Sequence, residues 1–338
     1  MAYEIEIASS EGNAVISSPD KPINMPIRTA NQLSQNYLDQ ISTEDYYSAE
    51  ASLQELSQLV ARVLSQDTKS GDADDWHNWA VDIARKDIYD LACDILETAL
   101  SIFPKNIDLL ADYLQYGISC GRTENCKTYY KTLSKIPKIR WGWRGYSFSV
   151  SYLQFLWERC DSEKEIEKLQ AEMIDIAKQF RDNLGYDEES YRCEADIYKM
   201  LHNKKQEEMV LRLALEQLKI APKCALRLSD ILFERGDYEE ALDYVRRGLK
   251  DSMQTQASIN EGYLYYLAGL SKLAMIQRDG KEYSEEAVLD IYSDFDVSLR
   301  QEHRAAYLNN MKSKAIMLTG KSGIPVPDTM EELSYLVS

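Results

Sequence analysis

The sequence predicts an all-α chain of antiparallel helix pairs stacked as an α-solenoid, with irregular capping helices at both ends. Three observations carry this expectation. Of 338 residues only 14 are Gly and 8 are Pro, too few for the many turns of a β-rich chain and suited to helices with short connections. Apolar residues recur at helical spacing over most of the chain from Thr29 onward. A helix–turn–helix pattern returns in the same register in two adjacent stretches that begin at Glu188 and Pro222.

Taken in order, residues 1–27 form a flexible or strand-like segment. YEIEIA alternates, with Tyr3, Ile5 and Ile7 on one side, and is either disordered or paired with another chain. SSPDKPINMP reads as a linker. Residues 28–72 form an N-terminal helical cap: Leu33, Tyr37, Leu38 and Ile41 share one face, and Leu53, Leu56, Leu59, Val60 and Val63 a second. QDTKSGDADD then interrupts the pattern. Residues 73–139 hold a clear repeat followed by a degenerate one. The latter has Leu110, Tyr113, Leu114 and Gly117 on its first helix, Cys126, Tyr130 and Leu133 on its second, and Pro137 at its end. Residues 140–187 are an irregular helix pair, and 188–255 are two further repeats. Residues 256–320 are extended C-terminal helices over 258–277, 283–295 and 297–318. The tail, 321–338, ends in a short helix bearing Met330, Leu333 and Leu336.

The repeats at 73–106 and 188–255 resemble the tetratricopeptide repeat (TPR) family, a helix–turn–helix unit of 34 residues. In DDWHNWAVDIARKDIYDLACDILETALSIFPKN, Trp76 stands at the family's first aromatic position and Trp79 at the following large one. Ala80 takes the small position, Ile83 stands where Tyr is usual, and Ala92, Leu96 and Ala99 line the second helix before Pro104. Small residues let two helices approach closely enough to interlock. In the Glu188 unit Tyr191, Ala195 and Tyr198 line the first helix, HNKK makes the turn, and Leu211 and Ala214 line the second. In the Pro222 unit Gly236 suits the left-handed residue that ends a helix, Asp237 suits a cap, and Ala241, Val245 and Gly248 make the contact.

The resemblance implies a ligand groove on the first helices of successive pairs. Its positions here are His77 and Val81 in the first clear repeat, Arg192, Asp196 and Lys199 in the next, and Arg227, Asp230 and Phe233 in the last. The Lys and Asn that clamp a C-terminal carboxylate in one TPR subclass are replaced by His77 and Val81, so that clamp is not expected. The alternative is an ordinary solvated helix face.

No catalytic constellation stands out. The three histidines, His77, His202 and His303, lie in different units, and neither HExxH, GxSxG nor a complete phosphate loop occurs. GKSG at 320–323 reads as a flexible joint. The six cysteines are scattered without CxxC pairs and read as small core residues; Cys120 and Cys126 lack the partners for a zinc set. No metal or cofactor is expected. The net charge of −17 disfavours nonspecific binding to nucleic acid or anionic membrane. The N-terminus lacks a signal-peptide pattern and no apolar run is long enough to span a bilayer, so the expectation is a cytoplasmic, acidic protein without a membrane partner.

Against that acidity stands one basic-aromatic island. Arg122, Lys127, Lys131, Lys135, Lys138, Arg140 and Arg144 lie close together, with Trp141 and Trp143 among them and only Glu124 opposed. The spacing of Lys127, Lys131 and Lys135 puts them on one helix face. The island admits three readings. Its cations pair with the acidic helices of 161–189; or it docks an acidic protein segment; or it binds nucleic acid or a nucleotide, with a Trp stacking on a base. KIRWGWRGYSF is also where the repeat period breaks. Its two tryptophans are therefore a joint between units, a site, or one of each, with Gly142 and Gly145 allowing a bend. The function expected from the whole is a non-catalytic TPR-like scaffold or regulatory subunit that binds a protein or peptide partner. The alternative is an accessory protein that binds nucleic acid or a nucleotide through 122–144.

Overall fold

The computed structural model describes residues 24–65, 72–255, 261–301 and 305–326. Among them fifteen α-helices follow one another with no strand. The first helices are α1 (Asn24–Ser42), α2 (Tyr46–Ser65), α3 (Ala73–Ala84), α4 (Tyr89–Ile102), α5 (Ile107–Ser119) and α6 (Thr123–Leu133). A 3-10 turn, Lys138–Arg140, leads to α7 (Trp143–Trp157) and α8 (Glu163–Leu184). Then come α9 (Glu188–Met200), α10 (Lys204–Gln217), α11 (Pro222–Arg235), α12 (Tyr238–Thr255), α13 (Glu261–Asp279), α14 (Glu285–Gln301) and α15 (Ala305–Ser322).

A left-handed residue closes the first helix of the repeat pairs. Asp87 and Gly121 have φ of 60° and 80°, and His202 and Gly236 have φ of 54° and 94°. The members of each couple are 34 residues apart, so the same backbone turn recurs at the repeat period. The residue that follows donates to the carbonyl five positions earlier: Arg122 to Gly117 at 2.7 Å, Asn203 to Tyr198 at 2.8 Å and Asp237 to Leu232 at 3.0 Å. These bonds satisfy carbonyls that the helix end would leave unpaired. The same bond recurs past Glu44 and Gly280, from Asp45 to Gln40 and from Lys281 to Ile276. Helix starts are capped locally: Asp72 and Asp75 form a capping box on α3, and Asn106, Asp187 and Asn203 accept from backbone N–H groups at the starts of α5, α9 and α10. Asp237 stands at the N-cap position of α12. Its carbonyl accepts from Ala241, while its carboxylate pairs with Arg235.

The turns bring small residues face to face with large ones. Ala80, Ala92 and Ala99 are fully buried beside Trp76, Trp79 and Ile83, and the two indoles meet at 5.9 Å. The described residues form two units, one up to Leu169 and one from Gln170. In the first, α1 pairs with α2, α3 with α4, and α5 packs on both α6 and α7. In the second, α9 pairs with α10, α11 with α12 and α13 with α14, and α15 closes on α14. The core of this second unit runs from Tyr191, Ala195, Leu211 and Leu228 to Leu264, Leu267 and Phe295. Each unit is thus an all-α, TPR-like stack of helix pairs.

Several boundaries differ from the sequence expectation. The N-terminal cap is itself a helix pair, and it begins at Asn24. The third C-terminal helix starts at Ala305 rather than 297, because α14 runs through to Gln301. GKSG is not a joint: α15 continues through Ser322, and only Gly323 turns left-handed, with φ of 71°. YEIEIA and the helix expected around Met330, Leu333 and Leu336 lie outside the described residues.

The recurring turn predicts opposite outcomes at equivalent positions. Gly236→Ala forces a Cβ into the left-handed region and lowers stability by ~1–2 kcal/mol. His202→Gly removes that strain and, after glycine's own entropic cost, raises stability by ~0.5 kcal/mol. Urea unfolding at unchanged m-value measures both.

Candidate functional site

The sequence of α5, IDLLADYLQYGIS, places one carboxylate among apolar residues that are all buried: Leu109, Leu110, Ala111, Tyr113 and Leu114. That carboxylate is Asp112, whose side chain is 0% exposed. A buried carboxylate needs partners to offset its lost hydration. Two arrive from the neighbouring first helices. His77 on α3 brings Nε2 to 2.9 Å from Oδ2, and Arg144 on α7 donates to Oδ1 at 2.7 Å. Three consecutive first helices are thereby joined by one ion-paired row. Burial disfavours protonation of His77, but the hydrogen bond and charge of Asp112 outweigh it. Arg144 acts against protonation and Asp108 for it, and the His77 pKa is raised above its ordinary value.

Sequence reasoning assigned His77 to a groove and Arg144 to a separate basic island. The structure brings the two together, and the residue between them, Asp112, was missed. The available signal was an Asp inside an otherwise apolar helix face. Val81 is only 8% exposed and packs in the core with Ala80, Ile83 and Ala84, so it does not line a groove.

The island separates into spent and unspent cations. Arg122 reaches Asp94 at 2.8 Å, Glu97 at 3.2 Å and Asp90 at 3.4 Å, all on α4. Arg144 is held by Asp112. The partners of these two are therefore on α4 and α5, and not on the acidic helices of 161–189. Lys127, Lys131, Lys135 and Arg140 are exposed and make no ion pair among the described residues. Lys127 and Lys131 lie on α6, whereas Lys135 sits in the turn after it, because the helix ends at Leu133. Lys138, half-buried in the 3-10 turn, accepts from the Tyr146 hydroxyl at its carbonyl, 2.6 Å away.

The two tryptophans divide as well. Trp141 is 3% exposed, meets Tyr146 at 5.4 Å and lies over Gly145, where any Cβ would come within 3.1 Å of its own. Gly145, within α7, therefore serves close packing against Trp141 and Ile107 and not a bend. Trp143 opens α7 and is 47% exposed, edge-on to Phe148, with the Arg144 guanidinium 5.0 Å from its ring centre. Ile139 in the preceding 3-10 turn is also exposed. Farther along, Lys127, Tyr152, Phe155 and Arg159, together with Glu124 and Glu165, line a cleft of about 520 Å³, with Arg159 stacked on Phe155 at 3.9 Å.

In the second unit the expected groove residues are mostly engaged. Arg227 on α11 pairs with Asp196 on α9 and with Glu207 on α10, the latter at 2.7 Å. Arg192 pairs with Glu189 at 2.7 Å. Asp230 accepts from Tyr263 on α13 at 2.5 Å, and burial still pushes its carboxyl above the usual range. Phe233 is half-buried against Tyr238. Lys199 stays exposed. Among the described residues no group of three His, Cys, Asp or Glu is placed to hold a metal, and no helix is long and apolar enough to cross a membrane.

No protein-family model matches the chain, and no curated protein sequence matches it. Among solved structures it is similar to TTC0263, a thermophilic TPR protein of Thermus thermophilus, at 16% identity over 61% of this chain and 100% of that one, with a TM-score of 0.43. It is similar to PilF of Pseudomonas aeruginosa at 13% identity, over 86% of this chain and 99% of that one, with a TM-score of 0.39. It is similar to the APC/C hetero-tetramer Cut9–Hcn1 at 11% identity, over 84% of this chain and 52% of that one, with a TM-score of 0.42. The TPR-like character of this chain rests on its own helix pairs and turns.

This geometry carries a pH dependence and a contrast between the two indoles. A raised His77 pKa means the folded state binds that proton more tightly than the unfolded chain. The stabilisation is complete below about pH 6.5 and is lost as pH rises through the higher folded value. The His77 ring resonance should titrate above the ordinary imidazole range by NMR and move down in Asp112→Asn. The tryptophans should differ in cost: Trp141→Ala lowers stability by ~3–5 kcal/mol, and Trp143→Ala by less than ~1 kcal/mol, as read by urea unfolding.

Proposed function

We propose that this chain is a non-catalytic helical-repeat scaffold that binds an acidic segment of a protein partner at the face built from α6 and the connector into α7. The observation that carries the reading is the set of unspent cations. Lys127, Lys131, Lys135 and Arg140 stand exposed without an ion pair among the described residues, in a chain of net charge −17. A local positive field on an acidic molecule steers a partner of opposite sign and disfavours like-charged ones. Trp143 and Ile139 supply exposed apolar area on the same connector, and the cleft bordered by Lys127, Tyr152 and Phe155 offers room for an apolar side chain.

The first-helix row is a framework for this face rather than its contact surface. His77, Asp112 and Arg144 are engaged with one another, so a ligand there would have to break existing pairs; in the second unit Arg192 and Arg227 are likewise held by Glu189 and Asp196. Asp112 fixes Arg144, which in turn lies against Trp143 and orients the exposed indole.

Fluorescence anisotropy with an array of acidic peptides carrying one aromatic or aliphatic anchor tests the reading, with labelled single-stranded RNA and DNA as the competing arm. Peptide binding should weaken as salt rises and fall about tenfold or more in Lys131→Glu/Lys135→Glu, with unchanged helical content. Trp143→Ala should weaken it without unfolding the chain. An oligonucleotide that binds more tightly than any peptide, and loses binding in the same variant, would replace this reading with nucleic-acid recognition.

A further inference from the structure

Cys93, Cys126, Cys193 and Cys224 are buried as expected of core residues, whereas Cys120 and Cys160 are partly exposed. Cys93, in the second turn of α4, and Cys120, which caps the end of α5, bring their sulfurs to 3.6 Å across an interval of 27 residues. Cys93 is fully buried, whereas Cys120 is half-exposed. Cys126, the third thiol nearby, is buried in α6 and directs its sulfur at the Tyr113 and Leu114 carbonyls, 3.8 and 3.9 Å away. One accessible sulfur therefore touches one inaccessible sulfur, with the third turned to backbone acceptors.

We propose that Cys93 and Cys120 form a dithiol site that closes to a disulfide by exchange with a low-molecular-weight disulfide such as glutathione disulfide. The pair must shorten from 3.6 Å to a bond of about 2.05 Å, a change within reach of side-chain rotation on two adjacent helices. Cys120, the exposed member, reacts first. Its thiolate attacks one sulfur of the oxidant, the oxidant's S–S bond breaks, and one glutathione leaves as thiolate. The Cys93 thiolate then attacks the Cys120 sulfur, the mixed disulfide breaks, and the second glutathione leaves. Two electrons pass from the protein thiols to the oxidant, and the two protons lost by Cys93 and Cys120 end on the two released glutathiones. Burial, and after it the neighbouring Cys120 and Cys126, push the Cys93 thiol well up, and the nearby Arg122 guanidinium acts the other way. Closure is therefore slow at neutral pH and accelerates as pH rises.

The bond would join α4 to the α5–α6 turn at the same place where Arg122 already ties that turn to Asp90, Asp94 and Glu97. It differs from the pairing that sequence proximity suggests, Cys120 with Cys126.

The test is incubation of the full-length folded protein with glutathione disulfide, quenching by alkylation, and mapping by peptide mass spectrometry. The expected product lacks two alkylatable thiols and yields a cross-linked peptide pair containing Cys93 and Cys120. It forms faster at pH 8.5 than at pH 7, and dithiothreitol reverses it. Cys93→Ser should instead retain one glutathione on Cys120. A Cys120–Cys126 link, a persistent glutathione on Cys120 of the wild-type chain, or full retention of both thiols would each overturn the proposal. Wild-type mapping decides even where the serine variant fails to fold.

Discussion

Everything in this chain depends on how closely two helices in a pair can approach. A single amphipathic helix cannot bury its apolar stripe, and a pair does so only when small residues on one helix meet large residues on the other. Ala92 and Ala99 on α4, paired with the α3 that carries Trp76 and Trp79, and Ala241 in the α11–α12 pair fill that role. The approach in turn needs a tight reversal, and the reversal needs one residue in the left-handed region. Asp87, Gly121, His202 and Gly236 supply it at the repeat interval. Two of the four are not glycine, which indicates that packing of the pair outweighs local backbone preference.

Electrostatics forms a second layer built on this frame. The chain carries 56 acidic and 39 basic residues, and several of its arginines cross-link neighbouring helices. Arg122 ties α4 to the start of α6, Arg144 ties α7 to α5, Arg227 ties α11 to α9 and α10, and Arg278 ties α13 to α12. Lys272 does the same between α13 and α14. The planar guanidinium can serve two or three carboxylates at once, which suits it to helix-to-helix links. Among the described residues Lys127, Lys131 and Lys135 make no such link. That segregation by residue type, more than the total of positive charge, gives one face of an acidic protein its distinct character.

The stretch KIRWGWRGYSF combines both layers. Trp141 and Tyr146 fill the gap where the repeat period breaks, with Gly145 allowing the indole to settle on α7. Two residues on, Trp143 begins a helix and remains in solvent beside Arg144. Trp141 follows the 3-10 turn in extended backbone and Trp143 begins the helix, so one stretch holds a joint and an exposed aromatic together.

Much of the architecture was legible in the sequence. The all-α class, the positions of Trp76, Trp79, Ala80 and Ala99, the reversal at Gly236 and the pairing of 188–255 follow from periodicity and residue size, which act over a few turns. The same local rules misplaced the break between α14 and α15 and read the helical end of α15 as a joint, because tertiary packing sets where a continuous apolar pattern divides. They also treated His77 and Arg144 as unrelated. Only the stacking of α3, α5 and α7 decided that both would converge on Asp112, since the cost of burying one carboxylate is met by residues far away in sequence. The same holds for Cys93 and Cys120, brought together by helix packing and not by spacing. The sequence by itself determined the repeating unit. Tertiary structure decided which charges were consumed inside it and which were left exposed, because that choice depends on contacts between helices.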